Sequence, residues 1–437
     1  MKNIFRSLLG ALLLLLITAP VTFSQKSEYV KQVIISNGGL FESTPPYVDY
    51  VTEESYNPDT KVSTFFNTIY TQSTQDVIIE GNIAYVAAQD SIVMYNLDTY
   101  ERVAAIADSG ISRLGFCNGS LVVTKQYPIT RFFVEVLNGN SLALLARIQS
   151  VSGECGGAIQ AGDTLYVAVN YGYAGTSGNL AVINPVNWKL VREVALGTTA
   201  KGISDLYLEA NHIWGVCRTP FGSTPEGGIV RYNYQSGSFL TTVIPYLISN
   251  GIGINGNLVY MVMNYAIGTF NLNTLLVETP ILFPDPGSLG HVYYTSEAID
   301  YVNNYMYANI GNYSSFSIGY IGTLAGDSVG SYTTGINSEA MAIDFRTVQG
   351  VPEAQDNGFE FSIFPNPVND RATVTFPANA GVSEIRVSDL TGRIMKTVPV
   401  QADAARSAID LTGLSGGVYL LTVTSEKGIQ TKKIIKN

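Results

Sequence analysis

The sequence has little charge, little histidine and little cysteine. Of its 437 residues, 14% are charged, two are histidines and three are cysteines that lack C-x-x-C spacing. It contains no G-x-S-x-G, H-E-x-x-H, phosphate-loop or dinucleotide motif. These absences argue against a catalytic triad, a zinc site and a disulfide scaffold, and we expect neither a metal nor a cofactor.

The net charge is −10, and no cluster of lysine and arginine occurs outside the C-terminal region. A chain with this charge is poorly suited to bind nucleic acid or an anionic membrane, so we expect no nucleic-acid partner. What the composition does supply is 27 tyrosines and 42 glycines. Abundant tyrosine and glycine with few charges are typical of extracellular β structure, and we expect an all-β fold.

The N-terminal residues predict export. Lys2 and Arg6 form a basic region before an apolar stretch at 8–17, which is too short to cross a bilayer of about 30 Å. Thr22 and Ser24 are small residues that suit cleavage before Gln25. We therefore expect residues 1–24 to be a signal peptide, handled by the Sec translocon and signal peptidase. No other apolar run is long enough for a membrane span, so we expect no transmembrane segment in the mature chain.

The middle of the chain repeats a four-strand pattern at intervals of roughly 35 to 47 residues. Six full units occupy the segments 77–106, 114–148, 158–196, 203–244, 252–283 and 298–332. Two fragments remain: 339–345 reads as an isolated first strand, and 33–66 reads as a unit that lacks its first strand. Joined, they form a seventh blade closed by both chain ends, which removes exposed sheet edges.

This pattern resembles that of the YncE-like seven-bladed β-propellers of Bacteroidota. These include surface proteins of a family that is best known only as a domain of unknown function. The resemblance implies a seven-bladed propeller at 25–347. A β-sandwich array is the alternative, but it does not explain the split repeat. The segment 348–358 contains glycine, proline and asparagine and predicts a flexible linker.

The cysteines leave two interpretations open. An oxidising destination permits one disulfide, for which Cys117 and Cys155 are the better pair because they begin adjacent repeats. The other interpretation is that these two residues and Cys217 are buried free thiols.

The last part of the chain, 359–437, carries several separated motifs in a fixed order. They are Pro365-Asn366-Pro367, Asp389 with Gly392 and Arg393, Gly417 with Tyr419, and the pair Lys432-Lys433. Alternating strands at 372–376, 384–388, 417–424 and 431–435 predict a small Ig-like β-sandwich. Together these residues resemble the C-terminal (Por) sorting domain that sends Bacteroidota proteins through the type IX secretion system. The resemblance implies a secreted or cell-surface location, reached through the periplasm, with the type IX machinery as partner. An ordinary Ig-like module is the alternative.

Two further patterns appear when the repeats are aligned. Polar residues occur just before or at the start of first strands: Asp76, Arg113, Glu154, Lys201, Asp205, Glu297 and Glu339. The loop after the second strand carries an aromatic residue: Tyr127, Tyr171, Phe221, Tyr265 and Tyr313. Because successive strands of a meander alternate in direction, we expect both sets at one face of the propeller. The alternative is that the aromatics pack between repeats and that the charges are solvated turn residues.

A face with charges near the axis and aromatics around them suits a ligand with flat or sugar-like surfaces. We therefore expect a secreted or cell-surface binding protein, without assigned catalytic residues, that takes an unknown small molecule, glycan or surface protein. Two alternatives stay open. One is a propeller enzyme (a lyase, lactonase or glycosidase), and the other is a structural or adhesive surface protein.

Overall fold

The computed structural model describes residues 28–40, 50–347, 359–390, 392–401 and 404–437. The predicted signal peptide at 1–24 and the predicted linker at 348–358 lie outside these residues. The chain divides into two compact units, one formed by Glu28–Arg346 and the other containing Thr347–Asn437. In the described ranges, no helix has the length and apolarity that a membrane crossing needs.

The first unit is built from four-stranded antiparallel sheets. Its strands run in chain order. The first three are β1 (Glu28–Asn37), β2 (Val51–Asn57) and β3 (Val62–Ile69). Sheet 1 contains β4 (Thr74–Glu80), β5 (Ile83–Ala88), β6 (Ser91–Asn96) and β7 (Arg102–Ala107). Sheet 2 contains β8 (Ile111–Cys117), β9 (Ser120–Lys125), β10 (Val134–Asn138) and β11 (Leu144–Ile148). Sheet 3 contains β12 (Cys155–Ala161), β13 (Thr164–Val169), β14 (Gly178–Asn184) and β15 (Lys189–Gly197).

Three more sheets of the same kind follow. Sheet 4 contains β16 (Ile203–Glu209), β17 (His212–Cys217), β18 (Gly227–Asn233) and β19 (Phe239–Ile244). Sheet 5 contains β20 (Ile248–Asn255), β21 (Leu258–Met263), β22 (Ala266–Asn271) and β23 (Leu276–Phe283). Sheet 6 contains β24 (Tyr293–Asp300), β25 (Tyr305–Gly311), β26 (Phe316–Thr323) and β27 (Ser328–Ile336). Short 3₁₀ helices occur at Gly172–Ala174, Thr198–Ala200 and Ser288–Gly290.

A closing sheet joins the two ends of this unit. Its strand order is β28 (Ser338–Thr347), β1, β2, β3, so the late strand lies beside the first one, as the split repeat predicts. Buried polar side chains hold this junction, because Asn37 Oδ1 accepts hydrogen bonds from Ser338 Oγ at 2.6 Å and Thr334 Oγ1 at 3.0 Å. The closing sheet therefore takes residues from both ends of the unit, about 300 positions apart in the chain.

The hydrophobic core lies between consecutive sheets. One buried cluster joins sheets 1 and 2, and similar clusters join each following pair up to sheets 5 and 6. Two more clusters pack the closing sheet against sheet 1 and against sheet 6. The sheets thus form a closed circuit. Second strands are covered on both faces, so β5 (IAYVAA) and β13 (TLYVAV) are almost wholly buried and read as apolar runs.

A fully buried carboxyl lies inside the closing sheet. Glu53 on β2 has no exposed surface, and its Oε1 accepts a hydrogen bond of 2.6 Å from Ser36 Oγ. The other oxygen, Oε2, has no hydrogen-bond partner among the described residues. Burial raises the pKa of Glu53 to about 8, despite the hydrogen bond from Ser36. This carboxyl is therefore mainly neutral at physiological pH.

A second buried polar cluster lies in sheet 2, where two carboxylates pair with a buried lysine. Lys125 has a fully buried side chain whose Nζ contacts Asp108 and lies 2.9 Å from Glu135 Oε2. Arg147 also pairs with Glu135. A buried cation of this kind is tolerated because two carboxylates replace its hydration.

All three cysteines are buried free thiols, so the structure does not contain the Cys117–Cys155 disulfide that the sequence left open. Burial raises the pKa of the Cys117 thiol to about 11, and it also raises the pKa values of Cys155 and Cys217. These thiols are accordingly protonated at neutral pH and serve as small apolar side chains.

The C-terminal unit contains two antiparallel sheets. The smaller one has the order β29, β30, β33 and the larger one β32, β31, β34, β35. Their bounds are β29 (Ser362–Phe364), β30 (Arg371–Thr375), β31 (Val382–Ser388), β32 (Ile394–Pro399), β33 (Arg406–Asp410), β34 (Gly417–Ser425) and β35 (Gly428–Lys436), with a 3₁₀ turn at Ala378–Ala380. Both sheets contribute to one core, which includes Val374 and Ile385. The four strands predicted here are present, whereas β29, β32 and β33 were not predicted.

Candidate ligand-binding face

The first strands of several sheets carry polar side chains into one cavity of about 530 Å³. Its lining includes residues of sheets 1, 2, 4 and 6 and of the closing sheet: Asp76, Arg113, Asp205, Glu297 and Glu339. The pairing register shifts near the start of the first strand in sheets 1, 2, 4 and 6. Such bulges redirect side chains that would otherwise alternate between the two sheet faces. We call this group of residues the ring mouth.

Charged and polar side chains connect the ring mouth across four sheets, 2, 4, 5 and 6. Arg113 Nε lies 3.7 Å and Arg218 Nη2 lies 3.2 Å from Asp205 Oδ1. Arg218 Nη2 also donates to Asn250 Oδ1 at 2.6 Å, and Asn250 Nδ2 donates to Glu297 Oε2 at 2.7 Å. Burial alone would raise the pKa of Asp205, but Arg218 and Arg113 outweigh burial and hold that pKa below its ordinary value. Asp205 is therefore a permanent anion between two cations.

Three of the ring-mouth carboxylates also accept hydrogen bonds from backbone N–H groups of the following sheet. Asp76 Oδ2 accepts the backbone N–H of Leu114 at 2.8 Å, and Asp205 Oδ2 accepts that of Gly251 at 3.1 Å. Glu339 Oε2 accepts the backbone N–H of Thr74 at 2.6 Å. Each acceptor lies on the first strand of one sheet and each donor on the first strand of the following sheet. These acids consequently have a structural role as well as a place in the cavity.

Glu297 differs from the other acids in its partner. Its Oε2 accepts from the Asn250 side chain rather than from the backbone of the next sheet. Burial raises the pKa of Glu297 to about 7, because desolvation outweighs the Asn250 hydrogen bond. Burial also raises the pKa values of Asp76 and Glu339. Near neutral pH, Glu297 is thus divided between its protonated and ionised forms.

A second cavity, of about 700 Å³, adjoins the first and shares Gln75, Arg113, Arg218 and Ser249 with it. Its lining includes the predicted residues Glu154, Phe221 and Tyr265, together with Tyr173. The rings of Tyr173 and Phe221 are 82% and 85% exposed, and their centroids lie 6.0 Å apart. These two rings offer an open aromatic surface beside the charged ring mouth.

A second pair of rings stands at the border between the cavities. Tyr265 lines the larger cavity and Tyr293 the smaller one, and their ring centroids also lie 6.0 Å apart. Tyr313 lines the smaller cavity as well. Aromatic residues from the loops after the second strands of sheets 4, 5 and 6 thus reach the same cavities as the first-strand charges.

Three predicted residues are not brought to these two cavities. Tyr127 is 79% exposed and lines neither of them. Tyr171 packs against the core between sheets 2 and 3, and its hydroxyl accepts a hydrogen bond of 2.6 Å from Asn179 Nδ2. Lys201 lies 3.2 Å from Glu226 and lines a separate cavity of about 450 Å³. Tyr171 is half-buried at this position.

Sequence reasoning missed Arg218, Asn250 and Tyr293, which all line the smaller cavity. Arg218 directly follows β17, at the loop position where only aromatics were sought. Asn250 lies near the start of β20, where the residues selected from the sequence all carry a charge. Arg218 and Asn250 therefore stand at repeat positions that the strand pattern identifies, but their residue types differ from those selected there. In the described ranges, no group of three or more His, Cys, Asp or Glu side chains suits a metal ion.

The predicted sorting residues occupy structural positions in the C-terminal unit. Arg393 folds back onto Asp389, with its backbone N–H 3.0 Å from Oδ1, and Gly392 adopts φ = +85° in that turn. Tyr419 is buried and donates its hydroxyl to Ser415 O at 2.9 Å. Gly417 pairs with Lys436 across β34 and β35. Asn366, which stands between Pro365 and Pro367, forms a hydrogen bond with Lys433 O on β35, the strand that also carries Lys432.

Residues 362–437 match the model of the secretion system C-terminal sorting domain. This family implies the type IX secretion machinery as a partner, and the protein is secreted or displayed on the outer cell surface. The match covers the C-terminal unit and leaves the larger unit unassigned. No curated protein matches the sequence.

Several solved structures are similar in fold. The extracellular domain of BT4673 from B. thetaiotaomicron aligns with 92% of this chain at 11% identity with a TM-score of 0.45, and the alignment spans 57% of that domain. BamB from Moraxella catarrhalis aligns with 74% of this chain and 98% of its own length, at 10% identity and a TM-score of 0.41. PorZ, a surface component of the type IX secretion system of Porphyromonas gingivalis, aligns with 88% of this chain and 73% of its own length, at 11% identity and a TM-score of 0.35. The four-stranded sheets of the larger unit make this chain all-β and β-propeller-like. The alignments say nothing about its ligand.

Proposed function

We propose that this protein is a secreted or cell-surface binding protein whose larger unit is a seven-bladed, YncE-like β-propeller. Residues 1–24 act as its signal peptide, 348–358 as a linker, and 359–437 as an Ig-like sorting domain. The closed circuit of six sheets and the closing sheet supports the propeller assignment. The family match at 362–437 supports export through the type IX system.

The ligand binds at the ring mouth and at the adjoining aromatic cavity. The observation that carries this proposal is the convergence of residues from every sheet of the larger unit. Two cavities, which share Arg113 and Arg218, are lined by residues predicted from the sequence: Asp76, Arg113, Glu154, Asp205, Phe221, Tyr265, Glu297, Tyr313 and Glu339. Pockets with convergent polar groups and aromatic walls are the usual form of small-ligand sites.

The lining favours a hydroxyl-rich ligand with flat apolar faces, such as an oligosaccharide. Tyr173 and Phe221 expose ring faces on which a sugar ring can stack. Arg113 and Arg218 provide donors, and Glu297 provides a carboxyl, within reach of hydroxyl groups in the same space. Five carboxylates against two arginines in the lining disfavour a polyanion.

A glycan array with the purified full chain tests this proposal. Phe221→Ala and Tyr265→Ala should each weaken binding of an array hit by about tenfold or more, since each removes a ring from the cavity wall. Tyr127→Ala is the matched control for Phe221→Ala, because Tyr127 is a similarly exposed loop aromatic (79% against 85%) that lies outside both cavities. The proposal is wrong if the control weakens binding as much as the two cavity variants do.

One observation favours a second candidate, a glycosidase-type enzyme. Glu297 has a pKa raised to about 7, whereas the pKa of nearby Asp205 is held low, so two carboxyl groups of the same cavity differ in protonation. Incubation of an array hit with the protein, followed by measurement of released reducing ends, distinguishes the two functions. Turnover that Glu297→Gln abolishes would establish the enzyme; binding without turnover supports the binding protein.

A further inference from the structure

The last strand of the C-terminal unit is an edge strand, and part of its edge is covered by a distant segment. In the larger sheet, β35 pairs with β34 on one side. On the other side, Asn366 Nδ2 donates to Lys433 O and Ile435 N donates to Asn366 Oδ1, each at 2.9 Å. The amide side chain of Asn366 thereby supplies the donor and the acceptor that a neighbouring strand would supply.

The cover continues along the chain. The backbone N–H of Val368 donates to Ile435 O at 2.8 Å, and that of Asn437 donates to Val368 O at 2.9 Å. Val368 and Lys436 form a parallel bridge. Two motif segments that are 67 positions apart in the sequence are therefore one continuous surface.

The three lysines of β35 have different surroundings. Lys432 Nζ donates to Phe361 O at 2.6 Å and lies 5.2 Å from the centre of the Phe361 ring. Lys436 is 10% exposed and pairs with Asp370 at 3.5 Å. Lys433 is exposed and points to the opposite face of the strand from the buried Ile434. Lys432 and Lys436 are thus used within the unit, and Lys433 is directed to solvent.

The charge of this region differs from that of the whole chain. Residues 427–437 contain four lysines and no acidic residue, whereas the chain carries a net charge of −10. A partner that recognises this strand by its charge must present acidic groups.

We propose that the sorting signal is a composite surface read by an acidic site of the secretion machinery. In this surface, Asn366 is a positioning residue that fixes the segment 365–368 on the edge of β35, and Lys433 is the charge presented to the acidic site. The proposal rests on the sorting role of residues 359–437. It goes beyond that role by assigning separate tasks to residues of the two segments.

The experiment measures export of the full chain in a host with a type IX system, together with hydrogen exchange of purified protein. Asn366→Ala should reduce the exported fraction at least tenfold and remove amide protection in the peptide 430–437, while the peptide 417–425 stays protected. Asn366→Asp keeps the acceptor for Ile435 N–H and should restore both readouts in part. Lys433→Ala should reduce export similarly with protection unchanged. Lys427→Ala, which removes an exposed lysine from the β34–β35 turn, should export normally.

Each part of the proposal can fail separately. Normal export of Asn366→Ala or Lys433→Ala overturns the task assigned to that residue. Loss of protection throughout 359–437 in Asn366→Ala assigns Asn366 to folding and overturns its positioning role. A chain that ends at residue 347 serves as the reference for the sorting role itself. If that chain is exported, the sorting role is wrong; if it is retained while both point variants are exported, only the composite surface is wrong.

Discussion

Replacing Glu53 with glutamine should change the pH dependence of folding. The ordinary carboxyl pKa of 4.5 applies to the unfolded chain, and the folded value is about 8. Below pH 4.5 both states are protonated and the folded state bears no titration penalty. Between pH 4.5 and 8 the unfolded state loses this proton and the folded state keeps it, so stability falls as pH rises. The loss is about 1.4 kcal/mol per pH unit, or about 5 kcal/mol across the window.

Glu53→Gln removes this titration while nearly preserving shape. Its free energy of unfolding should be close to that of the wild type at pH 5 and should exceed it by about 3 to 4 kcal/mol at pH 7.5. Urea denaturation at several pH values, followed by tryptophan fluorescence, measures this difference. The two tryptophans, Trp188 and Trp214, both lie in the larger unit, so the signal reports that unit. Glu80→Gln, an exposed carboxylate on β4, controls for removal of a surface charge and should follow the wild type. A difference between Glu53→Gln and wild type that stays constant from pH 5 to 8 would refute the reasoning.

Three further variants test the closing strand, Tyr171 and Lys125. A chain that ends at residue 337 should be less stable than one that ends at residue 347 by at least about 5 kcal/mol in urea denaturation, because it loses the buried side chains of β28; equal midpoints would show that β28 does not close the circuit. Tyr171→Phe should lower the free energy of unfolding by about 1 kcal/mol through loss of the Asn179 hydrogen bond and leave glycan binding unchanged; weaker binding would return Tyr171 to the ligand site. Lys125→Met should cost about 3 to 5 kcal/mol in thermal or urea unfolding, since it leaves the half-buried Asp108 without its cation and leaves the buried Glu135 with Arg147 alone; a neutral effect would mean that water replaces the lysine.

The repeats of the larger unit could be predicted because burial on both faces makes their second strands read as apolar runs. The apolar second strand β5 is visible in the sequence for this reason. Contacts made by single polar side chains are not visible in the same way. The backbone N–H of Leu114 held by Asp76, and the edge of β35 held by Asn366, depend on bulges and on distant segments that no local pattern encodes.

The candidate site was predictable in position but less so in residue type. First-strand starts and the loops after second strands do supply the lining of both cavities. The same loop position holds the half-buried Tyr171 in sheet 3 and the exposed Phe221 in sheet 4, and sequence position alone cannot separate the two. In sheet 3, Asn179 and Ser152 form hydrogen bonds with the Tyr171 hydroxyl, and the ring packs against the core between sheets 2 and 3.

The hydrogen bonds from ring-mouth acids to the next sheet limit how this site can change. Asp76, Asp205 and Glu339 cannot be exchanged for apolar or basic residues without leaving a backbone N–H of the following sheet unpaired. Phe221 and Tyr173 are highly exposed, so their side chains can be exchanged with less effect on the packing of the sheets. Redesign of ligand preference should therefore begin with the loops, where many residue types are tolerated. These three acidic residues of the ring mouth are therefore required by the packing of neighbouring sheets.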